Sequence, residues 1–299
     1  MSLKFQQAKH LVYGFVGLGL MGGSFAKAIR QNILNACDAT GDIIACDKQY
    51  STLQQSKADG IISKGYLPEN VKEMLDCCHV VFVCLYPHAT LQFIQENKDY
   101  FKENSLITDI SGVKSEIASA LPFCLREDVD FILGHPMAGS EKEGYSNSTD
   151  SVFNKRNYIL MPHEKNKAEN LVFFKNLITA IGFKRIIETD AILHDHKIAF
   201  TSQLCHVLAA TLVDSAEDTE ITAFGGGSFE DLTRIAMINA PLWTELFLAN
   251  KKELLYHIDS FEKSLTVFRE LLKKENKDGI CSFLELVREK RIAMSRVES

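Results

Sequence analysis

The chain has 299 residues, of which 46% are hydrophobic and 24% charged, and its formal net charge is −6 at pH 7. This composition is that of a globular protein large enough for two domains, and without a Lys/Arg tract it argues against nucleic acid and anionic membrane as partners. No apolar run reaches transmembrane length, and residues 1–7 lack the apolar core of a signal peptide.

The first predicted element is a buried strand at residues 11–16, because this run is apolar, lacks alternation and contains β-branched and aromatic residues. A Gly-x-Gly-x-x-Gly turn follows it, and helical spacing begins directly after the turn. In such a turn the first glycine permits the bend, the second admits a pyrophosphate, and the third lets helix and strand pack closely. The helix N-terminus then offers free N–H groups to phosphate. We therefore predict a dinucleotide site at Gly17, Gly19, Leu20, Met21 and Gly22.

A second apolar run, residues 42–46, ends at Asp47, about 25 residues after Gly22, where a ribose-binding carboxylate belongs. A carboxylate accepts hydrogen bonds from a free 2′-hydroxyl and repels a 2′-phosphate, so we predict NAD rather than NADP. Lys48 beside it would soften that repulsion. The alternative interpretation is a solvated aspartate at the end of a strand.

Strands and helices alternate up to about residue 189. Further strands are predicted at residues 79–85, 105–110, 130–134, 158–161 and 185–188, with helices at 50–58, 69–75, 89–101, 113–121 and 168–181. This alternation predicts a doubly wound, mostly parallel α/β sheet. Pro87, after the strand at 79–85, is predicted to border the cofactor.

The pattern changes near residue 190, and only helical periodicity follows. Helices are predicted at residues 191–216, 228–238, 240–259, 260–274 and 280–294. We therefore predict a dinucleotide-binding domain over residues 1–189 and an all-helical domain over residues 190–299. The long apolar faces of these helices suggest packing against a second copy of the chain.

The eight cysteines are scattered and form no C-x-x-C pair. Several of them fall in apolar runs. This pattern is typical of reduced thiols in a cytoplasmic protein, not of disulfides or zinc ligands.

Ligands in an open α/β sheet bind outside the carboxyl ends of the strands. The polar residues expected there are Ser111, Lys114, His135, Ser140 and Glu141. A histidine at the end of a strand can accept a hydrogen bond from a substrate hydroxyl and hold its proton as hydride departs. For His135, this interpretation and that of a satisfied structural histidine are equally good from the residues alone.

The predicted helix 191–216 carries a polar stripe. Asp195, Ser202 and His206 are spaced seven and four residues apart, so they are expected on one face, with His206 in a buried polar pocket. His194 and His196 are two residues apart and would point in different directions. We therefore predict no metal site there.

Three glycines, Gly225 to Gly227, precede a helix that presents Arg234. Taken alone, the arginine is best explained as a surface ion-pair partner, and the glycines as a helix stop and turn. Near a cofactor, the same arginine would be a bidentate clamp for a carboxylate.

Five blocks of the sequence resemble the prephenate/arogenate dehydrogenases of tyrosine biosynthesis. They are Gly17 to Ser24, Gly134-His135-Pro136-Met137-Ala138-Gly139-Ser140-Glu141, Ser202 to His206, Gly226 to Ala236, and Trp243-x-x-x-Phe247-x-x-Asn250-Lys251. The resemblance covers nearly the whole chain. It implies a Rossmann-type domain, an all-α dimerisation domain, and NAD-dependent oxidative decarboxylation of prephenate to 4-hydroxyphenylpyruvate.

The resemblance also implies roles for single residues. His135 would accept a hydrogen bond from the ring hydroxyl, Arg234 would hold a substrate carboxylate, and His206 and Gly227 would line and border the pocket. Ser140 and Lys114 are further predicted substrate-binding residues. A homodimer through the helical domain and inhibition by tyrosine are also implied.

The chain departs from this family in two places. The family usually has Gly-Ser-Val-Lys, with the serine hydrogen-bonded to the catalytic histidine, where this chain has Ser111-Gly112-Val113-Lys114. We predict that Ser111 replaces that serine as a catalytic residue from one position earlier. Gln203-Leu204-Cys205-His206 replaces a frequent His-x-Pro-His, so a second pocket histidine is absent.

Three alternatives remain. Arogenate dehydrogenase differs only in an amino group where prephenate has a keto group. A non-catalytic, NAD-binding dimeric regulator has only the displaced serine in its favour. A β-hydroxyacid dehydrogenase would require a catalytic lysine in the helical domain instead of the pairing of His135 with Arg234.

Overall fold

One eight-stranded sheet forms the first part of the protein, for which a computed structural model describes residues 3–295. The strands are β1 Val12–Val16, β2 Asp42–Cys46, β3 Lys64–Tyr66, β4 Val80–Val83, β5 Leu106–Asp109, β6 Asp130–Pro136, β7 Asn157–Met161 and β8 Arg185–Glu188. Their order is β3-β2-β1-β4-β5-β6-β7-β8. Only β6 and β7 pair antiparallel, so the predicted doubly wound, mostly parallel sheet is confirmed.

Among the described residues, six α-helices accompany the sheet and six more follow it. The first six are α1 Leu20–Asn32, α2 Tyr50–Ala58, α3 Val71–Leu75, α4 Pro87–Asn97, α5 Ser115–Cys124 and α6 Ala168–Ala180. The others are α7 Ala191–Ile198, α8 Leu204–Asp214, α9 Gly227–Thr233, α10 Ala240–Ala249, α11 Lys251–Lys273 and α12 Lys277–Ser295. Among the described residues no strand follows Glu188, in agreement with the prediction of a helical C-terminal part.

The chain reverses its direction of winding at β1, which pairs with β2 on one side and β4 on the other. Ligands of doubly wound sheets bind in the crevice outside the carboxyl ends of the strands at such a reversal. The glycine turn after β1 and Pro87 after β4 therefore lie at the position that the fold favours for a nucleotide.

The predicted helix 191–216 is interrupted. A π-helical turn, Ala199–Gln203, separates α7 from α8. Successive residues of an α-helix are rotated by about 100° around the helix axis. The wider π-helical turn inserts one residue, so all later side chains are rotated around the axis relative to an uninterrupted helix. The prediction that Asp195, Ser202 and His206 share one face is therefore wrong: Asp195 bonds the start of α5, while His206 packs on Trp243 of α10.

The predicted helix boundary between residues 259 and 260 is also wrong. α11 runs through it from Lys251 to Lys273, and within the helix the Ser260 hydroxyl donates to the carbonyl of Tyr256. The break lies instead at Asn250, whose buried amide donates to the carbonyl of Asp195 and to Oε1 of Gln203. These partners are far away in sequence, so the local pattern did not indicate the break.

Helices long and apolar enough to cross a membrane are absent from the described part of the chain.

A cluster of phenylalanines packs α1 against the sheet. The ring centroid of the fully buried Phe25 lies 4.4 Å from that of Phe153, 5.2 Å from Phe82 and 6.1 Å from Phe183. The Phe15 and Phe82 rings stack at 5.1 Å across β1 and β4. This packing fixes α1, and with it the turn that precedes α1.

We expect Phe25→Ala to lower the free energy of unfolding by about 3–5 kcal/mol, because it leaves a cavity among packed rings. The matched control is Phe123→Ala, since Phe123 is 86% exposed, and it should cost less than about 0.5 kcal/mol. Urea unfolding of both variants measures the difference. Equal losses would contradict the importance of the cluster.

Candidate active site

The glycine turn has the geometry that its sequence predicts at Gly17 and Gly22. Gly17 has φ +91°, and a Cβ there would lie 2.7 Å from the carbonyl oxygen of Cys84. A Cβ at Gly22 would lie 2.0 Å from the carbonyl oxygen of Gly17. Both glycines are therefore required by the turn itself, independently of any ligand.

Gly19 is different, because it is exposed and an added Cβ would have no atom within 4 Å. It precedes Leu20 and Met21 at the N-terminus of α1, where first-turn N–H groups have no carbonyl within the helix to bond. Open space in front of such N–H groups fits a pyrophosphate. The turn thus fits the predicted dinucleotide.

Asp47 lies beside this turn. Its Oδ2 accepts from the Leu18 N–H at 2.7 Å and its Oδ1 from the Gln49 N–H at 2.8 Å. Each carboxylate oxygen has a second lone pair, which leaves capacity for ribose hydroxyls. Pro87 is the buried first residue of α4. The cofactor-binding roles of these residues stay predictions.

His135 lies within β6, opposite Ile159 of β7, because the strand continues two residues past its predicted end. Its Nδ1 is 2.9 Å from Nε2 of His194. A Cβ added at Gly112 would lie 3.8 Å from its Nε2 and 3.2 Å from a methyl of Leu246. Nε2 therefore faces the gap between Gly112 and α10, without a hydrogen-bond partner among the described residues.

His194 is the site residue that the sequence analysis missed. It is buried, and its Nδ1 lies 2.7 Å from Oδ1 of the buried Asp195. Burial lowers the pKa of His194, and Asp195 opposes this effect only in part. Burial also raises the pKa of Asp195, but hydrogen bonds from His194 and Ser115 outweigh that and leave it below its usual value. The adjacent His-Asp pair in α7 was the available signal.

Burial also lowers the pKa of His135 well below its ordinary value, and the neighbouring His194 and Lys114 add to this. The imidazole is therefore neutral at neutral pH. A neutral imidazole with one free nitrogen can accept a proton.

Lys114 and Ser111 belong to the segment after β5, which lies next to this histidine pair. Lys114 is wholly buried, and its Nζ forms an ion pair with Oδ2 of Asp109 at 2.6 Å. Burial lowers the pKa of Lys114 against the opposing effect of Asp109. Nζ is thus held by a carboxylate of the chain and not presented to the surface, and substrate binding by Lys114 stays a prediction.

The Ser111 hydroxyl is buried without a hydrogen-bond partner in the described structure, and its N–H donates to Asp109. No hydrogen bond joins Ser111 to His135, so the expected replacement of the family serine is not seen. Gly112, the next residue, is the one that borders Nε2 of His135. The residue that borders the imidazole at this position thus carries no hydroxyl group.

Segments after β4, β5 and β6 all contact the stretch from residue 234 to residue 246. The four contacts pair the His88 N–H with Glu245, Gly112 with Leu246, Glu143 with Asn239 at 2.6 Å, and Glu141 with Arg234 at 3.6 Å. The helical part thus covers the carboxyl edge of the sheet beside His135. The gap between Gly112 and α10, which Nε2 of His135 faces, lies at this edge.

The remaining predicted substrate-binding residues are Arg234, His206, Gly227 and Ser140. The Arg234 side chain is 59% exposed. His206 is half-buried, its ring centroid lies 3.6 Å from that of Trp243, and its Nδ1 donates to the Ser202 carbonyl. Burial lowers the pKa of His206. Gly227 begins α9, and Ser140 is exposed in the loop after β6.

The two histidines of α7 point to different partners, His194 to Asp195 and His196 to Glu253. Over residues 3–295 no group of three or more His, Cys, Asp or Glu side chains is placed to hold a metal ion.

Known proteins share this architecture over most of the chain. A crystal structure of prephenate dehydrogenase from Aquifex aeolicus, in complex with hydroxyphenyl propionate and NAD+, is 28% identical with a TM-score of 0.84, covering 98% of this chain and 99% of that one. Prephenate dehydrogenase of Bacillus subtilis is 27% identical over 285 residues, which are 92% of this chain and 74% of the relative. Arogenate dehydrogenase of Synechocystis, at 22% identity and TM-score 0.78 over 95% of this chain and all of that one, shows the shared fold.

Two family models match the chain. The nucleotide-binding domain of prephenate dehydrogenase matches residues 25–187, and the dimerization domain of prephenate dehydrogenase matches residues 190–289. Together they cover most of the sequence, including His135, the His194–Asp195 pair and Arg234. The chain belongs to the prephenate dehydrogenase family.

Proposed function

We propose that the protein catalyses the NAD-dependent oxidative decarboxylation of prephenate to 4-hydroxyphenylpyruvate. The observation that carries this proposal is His135, a neutral imidazole whose Nε2 faces the gap beside Gly112 and α10, at the carboxyl edge of a nucleotide-binding sheet. Bacillus subtilis prephenate dehydrogenase, which matches 92% of this chain over 74% of its own length, supports the choice of substrate.

Gly19 at the N-terminus of α1 and the carboxylate of Asp47 are the residues that would hold NAD. The structure of the Aquifex aeolicus relative contains NAD+. When bound, NAD takes a hydride from the substrate carbon that bears the hydroxyl group.

His135 handles the proton of that hydroxyl group. As the hydride leaves, Nε2 accepts the proton and the carbon–oxygen bond becomes a carbonyl. Loss of carbon dioxide then makes the ring aromatic, which drives the reaction downhill. The proton held by His135 returns to the phenolate oxygen of the product, so the imidazole ends neutral.

Arg234 would anchor a substrate carboxylate, since its guanidinium is exposed and only loosely paired with Glu141. His206 and Trp243 would form an aromatic wall of the pocket, with Gly227 and Ser140 at its border. We leave Lys114 out of the direct contacts because Asp109 already holds its Nζ.

A second copy of the chain is the proposed partner, because residues 190–289 match a dimerization domain. Exposed apolar side chains of α11 and α12 would be covered in that dimer; they are Leu255, Tyr256, Leu265, Val267, Leu272, Leu284, Leu286, Val287, Ile292 and Met294. Burial of such a surface stabilises association. The eight free cysteines agree with a cytoplasmic location.

Turnover with prephenate and with arogenate, each with NAD, tests the proposed function. We expect the higher kcat/KM with prephenate, and a large preference for arogenate would replace the proposed substrate. His135→Asn should lower kcat by about 10²–10⁴ with NAD affinity little changed, because it removes a positioned base. No NADH from either substrate with the unaltered protein would favour the non-catalytic regulator.

Two glycine variants separate cofactor contact from the integrity of the turn. Gly19→Ala should fold normally and weaken NAD binding, because its methyl group fills the open space at α1. Gly22→Ala should lower the melting temperature as well, because its Cβ collides with the Gly17 carbonyl. Calorimetric titration with NAD and thermal unfolding measure the two effects. Normal NAD affinity in Gly19→Ala would move the pyrophosphate elsewhere.

Tyrosine shares a carboxylate and a hydroxyphenyl ring with the product, so we propose that it inhibits by binding the same site. Arg234→Gln should raise both the KM for prephenate and the inhibition constant of tyrosine. Each increase should correspond to a loss of about 1.5–3 kcal/mol of binding free energy from charged hydrogen bonds. Steady-state kinetics with and without tyrosine measures both. A change in only one of them would show that the two carboxylates bind different groups.

A further inference from the structure

A chain of hydrogen bonds leads from α7 to Nδ1 of His135, on the side of the ring that faces away from Gly112 and α10. We propose that Asp195 and His194 are positioning residues that hold His135 in its Nδ1-protonated tautomer, with Nε2 free for the substrate hydroxyl. This role rests on the proposed function, in which His135 is the proton acceptor. His135 and His194 are 59 positions apart in sequence and belong to different parts of the fold.

The chain of hydrogen bonds begins at the carboxylate of Asp195, which is held in place. Oδ1 of Asp195 accepts from the Lys114 N–H at 2.9 Å, and Oδ2 accepts from the Ser115 N–H at 2.8 Å. Two backbone donors thus hold the ionised group in one orientation. An ionised carboxylate can only accept hydrogen bonds, so Nδ1 of His194, 2.7 Å from Oδ1, must carry a proton.

The protonation of His194 decides that of His135. A neutral imidazole with a proton on Nδ1 has a lone pair on Nε2, and burial keeps His194 neutral. This lone pair is 2.9 Å from Nδ1 of His135, so that nitrogen is the donor. The remaining nitrogen of a neutral His135 therefore carries no proton.

The surrounding groups act differently on the two imidazoles. Burial, His194 and Lys114 lower the pKa of His135, so its free nitrogen is unprotonated before the substrate binds. Asp195 and Asp109 face His194 and favour its charged form, against burial and Lys114, which lower its pKa. The hydrogen bond to His194 therefore links His135 to two carboxylates while His135 itself stays neutral.

The proton transfer involves only the substrate hydroxyl and these hydrogen-bonded side chains. The substrate O–H bond breaks, its electron pair stays on oxygen, and an N–H bond forms at Nε2 of His135. The Nδ1 proton of His135 stays in the hydrogen bond to His194, whose own proton stays in the bond to Asp195. When the proton returns to the product oxygen, the same tautomer is restored.

The tautomer is directly measurable by ¹⁵N-detected NMR of the full-length protein with labelled histidine, without substrate. We expect His135 to show a protonated Nδ1 and a bare Nε2 at pH 7.5, with its signals assigned by their loss in His135→Asn. A proton on Nε2 of His135 would overturn the proposal.

Three variants test the consequence for turnover. His194→Leu removes the acceptor for Nδ1, and we expect kcat to fall on the order of 10²-fold with KM changed less than about threefold. His194→Gln should recover part of this loss, because its amide oxygen can accept from Nδ1. The matched control is His196→Leu on the same helix, which bonds Glu253 instead and should keep kcat within about twofold.

The outcomes are distinguishable. A folded His194→Leu variant with unaltered kcat and an unaltered His135 tautomer would show that His194 only fills space. If His194→Leu does not fold, the spectrum of the unaltered protein and the His194→Gln kinetics still decide. Absence of turnover with prephenate in the unaltered protein would defeat the proposed function, while the NMR measurement would still test the hydrogen-bond chain.

Discussion

The carboxylate of Asp195 is the point on which the arrangement of the site depends. It accepts from two consecutive backbone amides at the start of α5 and from His194 on its own helix. Its backbone carbonyl in turn accepts from Asn250, where α10 gives way to α11. A single buried residue therefore ties the helical part to the segment after β5 and determines where His194 meets His135.

The second constraint is electrostatic. Lys114 and Asp109 form a wholly buried ion pair next to the same segment, and the cost of removing two charges from water makes such pairs poor contributors to net stability. Breaking one partner is nevertheless costly, because the other charge would remain buried. We interpret this ion pair as two fixed charges next to the imidazoles. The pair keeps the segment from residue 109 to residue 115 in place.

In the proposed function, the two parts of the protein divide the chemistry between them. The sheet would supply the glycine turn, Asp47 and His135, while the helical part would supply His194, Arg234 and the aromatic pair of His206 and Trp243. Contacts from α10 and the segment before it to the ends of β4, β5 and β6 close the carboxyl edge. The proposed reaction brings a cofactor and a charged substrate together at one substrate carbon. An edge shared by two parts of the protein suits this, because the cofactor and the substrate each have their own binding residues there.

Local sequence determined much of this molecule. The alternation of strands and helices, the glycine turn and Asp47 were predictable because steric limits on φ, apolar periodicity and strand-end polarity act over a few residues. His135 was found for the same reason. A polar helix stripe and a glycine run also singled out His206 and Arg234, and the blocks shared with a known family gave both of them substrate-binding roles.

Tertiary structure decided what depends on partners far away in sequence. The π-helical turn after α7, the helix break at Asn250, the burial of Lys114 against Asp109 and the contact of His194 with His135 all fall in this class. Each depends on hydrogen bonds or charges that meet only when the sheet and the helices pack. Spacing along one helix cannot reveal them, since the energy that fixes each side chain comes from another element.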